Sequence, residues 1–176
     1  MKNSMNSKTN QKGFTLIELV VVIVILGILA VTAAPKFIDL QDDARTSTLN
    51  GIKGSIESVK AFTYSKSLIA GNETVDGDIA GGATAPVVVV NGANVNVSFG
   101  YPRSNTVSVA EWRANLLEIA VGEFVISEIA DVIYITPDPD GNNTVLTVVP
   151  TTCFVIYTEA ATADNADIPV TAVTDC

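Results

Sequence analysis

An apolar run near the beginning of the chain restricts its fold more than any other feature. Residues 14–34 read FTLIELVVVIVILGILAVTAA, and the interruptions are Thr15, Glu18, Gly27 and Thr32. These 21 residues, at a helical rise of about 1.5 Å each, would form about 31 Å of helix, which is the thickness of a bilayer's hydrocarbon core. The run therefore predicts one helix that can span a membrane.

A polar, basic stretch precedes the apolar run and ends in Gln11, Lys12 and Gly13. Positively charged flanks tend to stay in the cytoplasm. We therefore expect a single span with residues 35–176 exported.

Two cleavage sites compete in this segment. Ala30 to Ala34 supplies small residues after the apolar run, as in an ordinary secretory signal. Gly13 and Phe14 instead mark its front edge. Glu18 favours the front site, because a carboxylate at mid-bilayer costs on the order of 3 kcal/mol and a discarded segment has no evident use for it. The alternative is a glutamate tolerated at the level of the lipid headgroups.

Charge and composition exclude several functions. The chain has 19 acidic and 10 basic residues, which does not suit nucleic acid, because phosphates require clustered Lys and Arg. It contains no histidine, the usual general base and metal ligand near neutral pH. We predict that the protein is not an enzyme and has no catalytic residues.

Cys153 and Cys176 both lie in the last quarter of the chain. An exported chain would oxidise such a pair. Closing a loop of about 24 residues should add roughly 3 kcal/mol of stability on the chain-entropy model. The alternative is two buried, unpaired thiols.

A second helical segment follows Pro35. Its apolar residues recur at the spacing of one helical face: Phe37, Leu40, Ala44, Leu49, Ile52, Ile56, Val59 and Phe62. This pattern predicts an amphipathic continuation of the helix to about Ala70, ended by Gly71 and Asn72. Pro35 should kink or open the helix, and the stretch from Gly27 to Pro35 should unwind most easily.

The remaining sequence favours strands and turns. Asn91-Gly92, between Pro86–Val90 and Asn94–Phe99, predicts a hairpin. Ser108 and Glu111 form a capping-box pattern before a short helix carrying Trp112, Leu116, Leu117 and Ile119. Further strands are predicted at 132–136, 145–149, 153–158 and 168–173. The predicted fold class is α+β, a long N-terminal helix packed on an antiparallel sheet, with the disulfide pinning the C-terminal segment to the third of these strands.

Two acidic clusters allow alternative interpretations. Asp138, Asp140 and Asn142 could supply oxygen ligands to Ca²⁺, but the downstream bidentate Glu is missing and a Pro-Asp-Gly turn explains the same residues. We therefore expect no cofactor, with Ca²⁺ as the weak alternative. The aspartates at 39, 42 and 43 are expected to balance the charges of Lys36 and Arg45 at helical spacing.

Residues 12–18, which read KGFTLIE, resemble the processing and methylation site of type IV prepilins. The resemblance implies that a prepilin peptidase removes residues 1–13 by cutting after Gly13, then methylates the new amine of Phe14. It implies that residues 14–34 form the transmembrane and assembly helix and that residues 35–176 form the exported pilin domain. It also gives Glu18 a partner, the Phe14 amine of a neighbouring subunit, and a buried pair of this kind can fix register.

Residues 35–45, 51–54 and 153–160 resemble the pilins of mannose-sensitive haemagglutinin pili. This resemblance implies a filament subunit that supports adhesion and biofilm formation. Its partners would be copies of itself, the prepilin peptidase and the inner-membrane assembly machinery. The precursor would lie in the inner membrane with its domain in the periplasm, and the product would be an extracellular pilus. The alternatives are a minor pilin or type II secretion pseudopilin, and a membrane-tethered domain that does not polymerise.

Overall fold

The computed structural model describes residues 13–77, 85–105, 109–162 and 168–176. Contacts divide the chain into two compact units, Met1–Leu40 and Gln41–Cys176. The first helix, α1, runs from Leu16 to Ala70. The predicted capping residue Ser108 and most of the predicted leader lie outside the described residues.

The C-terminal end of α1 is fixed by a glycine cap. Gly71 adopts a left-handed conformation with φ 72°, and the Asn72 amide donates to the Ser67 carbonyl at 2.9 Å. This six-to-one bond is the Schellman motif, which satisfies a carbonyl that the helix leaves unpaired. The predicted helix end is confirmed.

Within the second unit, the face of α1 that packs into the core is narrower than the sequence predicts. Leu49 and Ile56 are fully buried, and the same face continues through Lys60, Thr63 and Ser67. The apolar prediction at Phe62 is wrong, since this side chain is 48% exposed. At about 100° per residue, Phe62 lies about 120° around the helix from Ile56. The predicted positions 37, 40 and 44 are exposed as well.

Three strands form the first sheet, in the order β1-β2-β3. They are β1 (Val87–Val90), β2 (Ala93–Ser98) and β3 (Tyr101–Pro102). Val90 pairs with Ala93 across a two-residue turn, in which Asn91 and Gly92 have φ 51° and 80°. Both φ values are positive, as a type I′ turn requires, so the predicted hairpin is confirmed.

The predicted short helix is present as α2 (Val109–Glu111) followed by a π-helical turn, Trp112–Leu116. Trp112 and Leu116 are buried in the core of the second unit.

Four antiparallel strands form the second sheet, in the order β4-β5-β6-β7. They are β4 (Phe124–Ile129), β5 (Val132–Pro137), β6 (Phe154–Thr158) and β7 (Val170–Thr174). Strand β4 was not predicted, because its consecutive buried residues Val125 and Ile126 break the alternation expected of a half-buried strand. The strand predicted at 145–149 is wrong, because the Leu146 amide donates to the Ser127 hydroxyl at 2.8 Å instead of joining a ladder.

The described strands form two sheets rather than the one predicted, and polar contacts join them. The Tyr157 hydroxyl on β6 donates to the Pro102 carbonyl on β3 at 2.5 Å. The Trp112 indole nitrogen donates to the Arg103 carbonyl at 2.7 Å, and its ring lies 4.5 Å from that of Tyr157. The α+β fold class, a long helix followed by antiparallel sheets, is confirmed.

Candidate assembly site

The N-terminus of α1 is closed by a capping box. The Thr15 hydroxyl accepts from the Glu18 amide at 3.3 Å. In return, Glu18 Oε2 accepts from the Thr15 amide at 2.8 Å and from its hydroxyl at 2.7 Å. These bonds satisfy amides that a helix start leaves without partners. The sequence analysis missed this role, although the pattern Thr-x-x-Glu before an apolar run signals it.

One oxygen of Glu18 remains available. Both bonds to Thr15 use Oε2, and Oε1 has no hydrogen-bond partner among the described residues. The side chain lines a shallow apolar groove with Phe14, Ile17 and Val21. The carboxylate can therefore cap its own helix and still accept a hydrogen bond from another molecule. Its pairing with a neighbouring amine stays a prediction.

Among the described residues, nothing requires glycine at position 13. A Cβ atom built at Gly13 meets none of their atoms within 4 Å, and the φ of Gly13 lies outside the left-handed region. Neither of the usual structural reasons for glycine, space or a positive φ, therefore applies. A requirement for glycine here would have to come from a molecule that binds this segment, such as a processing enzyme.

The first part of α1 exposes its apolar side chains all round. The exposed fractions of its large apolar side chains run from 42% at Val20 to 79% at Leu16. Among the described residues, α1 is the one helix long and apolar enough to cross a membrane. A helix that is apolar on every side needs lipid or other protein around it.

The helix is continuous through Gly27 and Pro35. A Cβ atom at Gly27 would also meet no atom of the described ranges within 4 Å, so contacts with those ranges do not require glycine there. The expected local opening of the helix is absent from the single chain. A kink, and unwinding of this stretch during assembly, stay predictions.

The predicted disulfide between Cys153 and Cys176 is present. It lies where β6 begins and β7 ends, beside the paired residues Phe154 and Thr174. The Cys153 amide donates to the Asp175 carbonyl at 3.0 Å. The disulfide thus continues the strand pairing by one position and ties the C-terminal segment to β6, the third strand of its sheet.

The proposed calcium ligands lie in a turn whose polar groups form hydrogen bonds with each other. The Asn143 amide donates to Asp138 Oδ2 at 2.7 Å, and the Asn142 side chain donates to Asp140 Oδ2 at 2.8 Å. The Asn142 hydrogen bond, more than any other contact, lowers the pKa of Asp140. No group of three or more acidic, histidine or cysteine side chains suited to a metal occurs in the described ranges. The turn interpretation accounts for these contacts.

Sequence analysis also missed Lys60, which is buried on the packed face of α1. Its Nζ atom donates to the Pro169 carbonyl at 2.6 Å and to both carboxylate oxygens of Glu57. Because the predicted apolar face of α1 includes Val59, the neighbouring Lys60 was not expected to be buried.

Comparison with known proteins finds a family-model match in the N-terminal segment. The family model "Prokaryotic N-terminal methylation motif" covers residues 8–34. This range holds Gly13, Phe14, Thr15 and Glu18, the residues whose geometry is described above. No solved structure shows significant similarity to the chain.

Several curated proteins are similar to parts of the chain. The type IV narrow pilus major component of Thermus thermophilus is 47% identical over 29% of this chain and 44% of its own length. The type IV major alpha-pilin of Moraxella bovis is 34% identical over 54% of this chain and 50% of its own. The type II secretion system core protein G of Pseudomonas aeruginosa is 43% identical over 31% and 36%.

The chain thus spans half or less of the length of these three relatives. Within that span, the relatives are pilus subunits and a secretion-system core protein, and the motif that names the family model lies on the capped start of α1. By its N-terminal segment, this chain is similar to type IV pilus subunits and to a core protein of a type II secretion system.

Proposed function

We propose that this protein is a structural subunit of a type IV pilus, and that it polymerises through α1 after cleavage between Gly13 and Phe14. One observation carries the proposal. A helix start that matches the methylation motif presents a carboxylate, with one oxygen that no described residue binds, at the end of an apolar helix that is exposed on every side. Such a surface is stable in lipid before assembly and in a bundle of like helices afterwards.

Cleavage would create the partner that Glu18 lacks. A new amine at Phe14 is positively charged and stands four residues before Glu18. In a bundle of apolar helices, an unpaired carboxylate is strongly destabilising, whereas a paired one approximately breaks even and fixes the register. Pairing of Glu18 with the Phe14 amine of the next subunit would therefore set the axial step of the filament.

The proposed location of the protein before and after assembly follows from the same N-terminal segment. The precursor would lie in the inner membrane with residues 35–176 in the periplasm, because the basic stretch before the run stays cytoplasmic. The prepilin peptidase and the inner-membrane assembly machinery would then act on it. The filament would be extracellular, where the disulfide between Cys153 and Cys176 is stable.

We further propose that the pilus containing this subunit is of the mannose-sensitive haemagglutinin type and has roles in adhesion and biofilm formation. It is supported by the resemblance of residues 35–45, 51–54 and 153–160. Deleting the gene should lower surface attachment and remove the filaments that contain this subunit. Normal attachment by cells that lack the filaments would contradict the adhesive role.

The second candidate is a pseudopilin of a type II secretion system. It is favoured by the 43% identity to the core protein G of Pseudomonas aeruginosa. The amount of subunit in filaments sheared from the cell surface separates the two. A major pilin should dominate that fraction, whereas a pseudopilin or minor pilin should be scarce in it.

Substitutions at Glu18 test polymerisation itself. Glu18→Gln keeps an oxygen that can cap Thr15 but removes the charge, so we expect sheared filaments to be lost while the subunit still accumulates in the membrane. Thr15→Val is the matched control, because it removes the capping hydroxyl and keeps the carboxylate. Filaments of normal yield from the Glu18→Gln variant would show that the charge is not needed for polymerisation. Absence of the unsubstituted chain from sheared filaments would instead favour a tethered domain that does not polymerise.

A further inference from the structure

Arg45 lies on α1 within the second compact unit, and its side chain lines a surface groove. The other walls include Thr136 and Pro137 at the end of β5, and Pro139, Pro150 and Thr152 from the segment that leads to β6. Arg45 itself is partly buried. The groove is therefore mostly proline and threonine, with one cation at its side.

The expected charge balance of Arg45 within its own helix is not formed. Asp42 and Asp43 lie three and two residues before it, yet in the described part of the chain neither carboxylate forms an ion pair within 4.0 Å of the Arg45 guanidinium. No hydrogen bond from the Arg45 side chain occurs among the same residues. A guanidinium carries five N–H donors, and those of Arg45 meet no acceptor among the described residues, which leaves them to solvent or to an acceptor from another molecule. The side chain is thus placed to bind an acceptor from another molecule.

The net charge of the chain indicates the chemical class of that acceptor. The protein carries 19 acidic and 10 basic residues, and several cations are already used. Lys60 and Arg103 are buried, and Arg113 donates to the Phe124 carbonyl and to the Asn143 side chain. Copies of such a chain repel each other unless their contacts place cations against carboxylates.

We propose that the Arg45 groove is a contact between subunits, in which the guanidinium donates to the carboxylate of an Asp or Glu side chain of a second copy. The proposal rests on the polymerisation proposed above. Proline and threonine walls would exclude water around the pair without adding a competing charge. The planar guanidinium suits a carboxylate because it can donate two parallel hydrogen bonds.

Charge reversal gives the first test. Arg45→Glu should lower the yield of sheared filaments by at least about tenfold, because truncating one partner of a desolvated pair costs at least that much affinity. Lys66→Glu is the matched control, since it makes the same charge change at an exposed position of α1 and should change the yield by less than about twofold. Equal yields from the two variants would overturn the contact but leave polymerisation standing. Absence of filaments from the unsubstituted chain would instead contradict the proposed function.

Cross-linking gives the second test and does not depend on the stability of the charge-reversed chain. Arg45→Lys keeps the charge and supplies an amine that a carbodiimide can join to a touching carboxylate. Filaments of this variant should yield a covalent dimer, with a peptide linking position 45 to an Asp or Glu, that unsubstituted filaments do not yield. Treated filaments of the variant that lack this link would overturn the proposal.

Discussion

Two charged side chains of the second unit are removed from water to different extents, since Lys60 is buried and Glu159 is partly buried, and each is stabilised by specific neighbours. Lys60 donates to the Pro169 carbonyl and to Glu57. Glu159 accepts from the Ser104 amide at 2.7 Å, and the Ser104 hydroxyl donates to the Asp131 carbonyl. A buried polar group is costly unless it is hydrogen-bonded, so both positions should be sensitive to substitution.

Lys60→Met should destabilise the folded chain by about 1–3 kcal/mol, because it leaves the Pro169 carbonyl without its donor. Lys66→Met is the control, since Lys66 is exposed and its Nζ atom lies 5.4 Å from the Phe62 ring centre. Its expected effect is within about 0.5 kcal/mol. Urea denaturation of the full chain in detergent measures both. Equal effects would mean that the buried contact contributes nothing to stability.

Glu159 should make stability depend on pH. Burial raises the pKa of Glu159 above its ordinary 4.5, while the Ser104 amide and the charge of Arg103 act in the opposite direction and Asp131 adds to the rise. The folded state then holds the proton more tightly than the unfolded state. This contribution is fully present below pH 4.5 and is lost as the pH rises through the folded pKa.

Glu159→Gln tests this linkage because glutamine can still accept from the Ser104 amide. On raising the pH from about 4.5 to about 7, the melting temperature of the unsubstituted chain should fall relative to that of the variant. Thermal unfolding in detergent at several pH values measures the difference. Two parallel pH profiles would contradict the assignment.

At the scale of elements, α1 shows what local patterns can and cannot predict. The apolar run, the Gly71 stop and the Asn91-Gly92 turn each act through neighbouring residues, and all three predictions are confirmed. The face of α1 that packs on the sheets could not be predicted beyond Ile56. Polar residues continue it at Lys60, Thr63 and Ser67. Lys60 and Ser67 donate to the carbonyls of Pro169 and Gly100, which lie far along the chain.

The pairing of β6 and β7 depends on contacts at both ends. The disulfide closes one end, the Cys176 amide donates to the Thr46 hydroxyl at 3.0 Å, and Lys60 binds the Pro169 carbonyl beside the other end. Strand β7 lies at the edge of its sheet. An edge strand has one strand neighbour, so these contacts should control how easily it separates.

Replacing both cysteines with serine should destabilise the chain by roughly 3 kcal/mol. The loss should be largest at β7, whose amides should exchange with solvent sooner than those of β5. Hydrogen exchange of the full chain in detergent, before and after the substitutions, measures this order. Unchanged protection of β7 in the serine variant would show that Lys60 and Thr46 suffice to hold the strand.

At the scale of the whole molecule, the motif of the candidate site was easier to recognise from the sequence than the sheets. The family model covers Gly13, Phe14 and Glu18 because they share one short segment, whose pattern does not depend on tertiary contacts, and their roles stay predictions. Strand β4, the loop at 145–149 and the division into two sheets depend on long-range bonds such as Ser127 to Leu146 and Tyr157 to Pro102. The cap formed by Thr15 was readable from the sequence but was overlooked.

The central claim is that the chain is cut in front of its apolar helix and keeps that helix in the filament. Mass spectrometry of the subunit from purified filaments tests it most directly. The account predicts a mature chain that begins at Phe14 with one added N-methyl group and retains residues 14–34. A mature chain that begins near Pro35 would contradict it, because the helix and Glu18 would then be absent from the product.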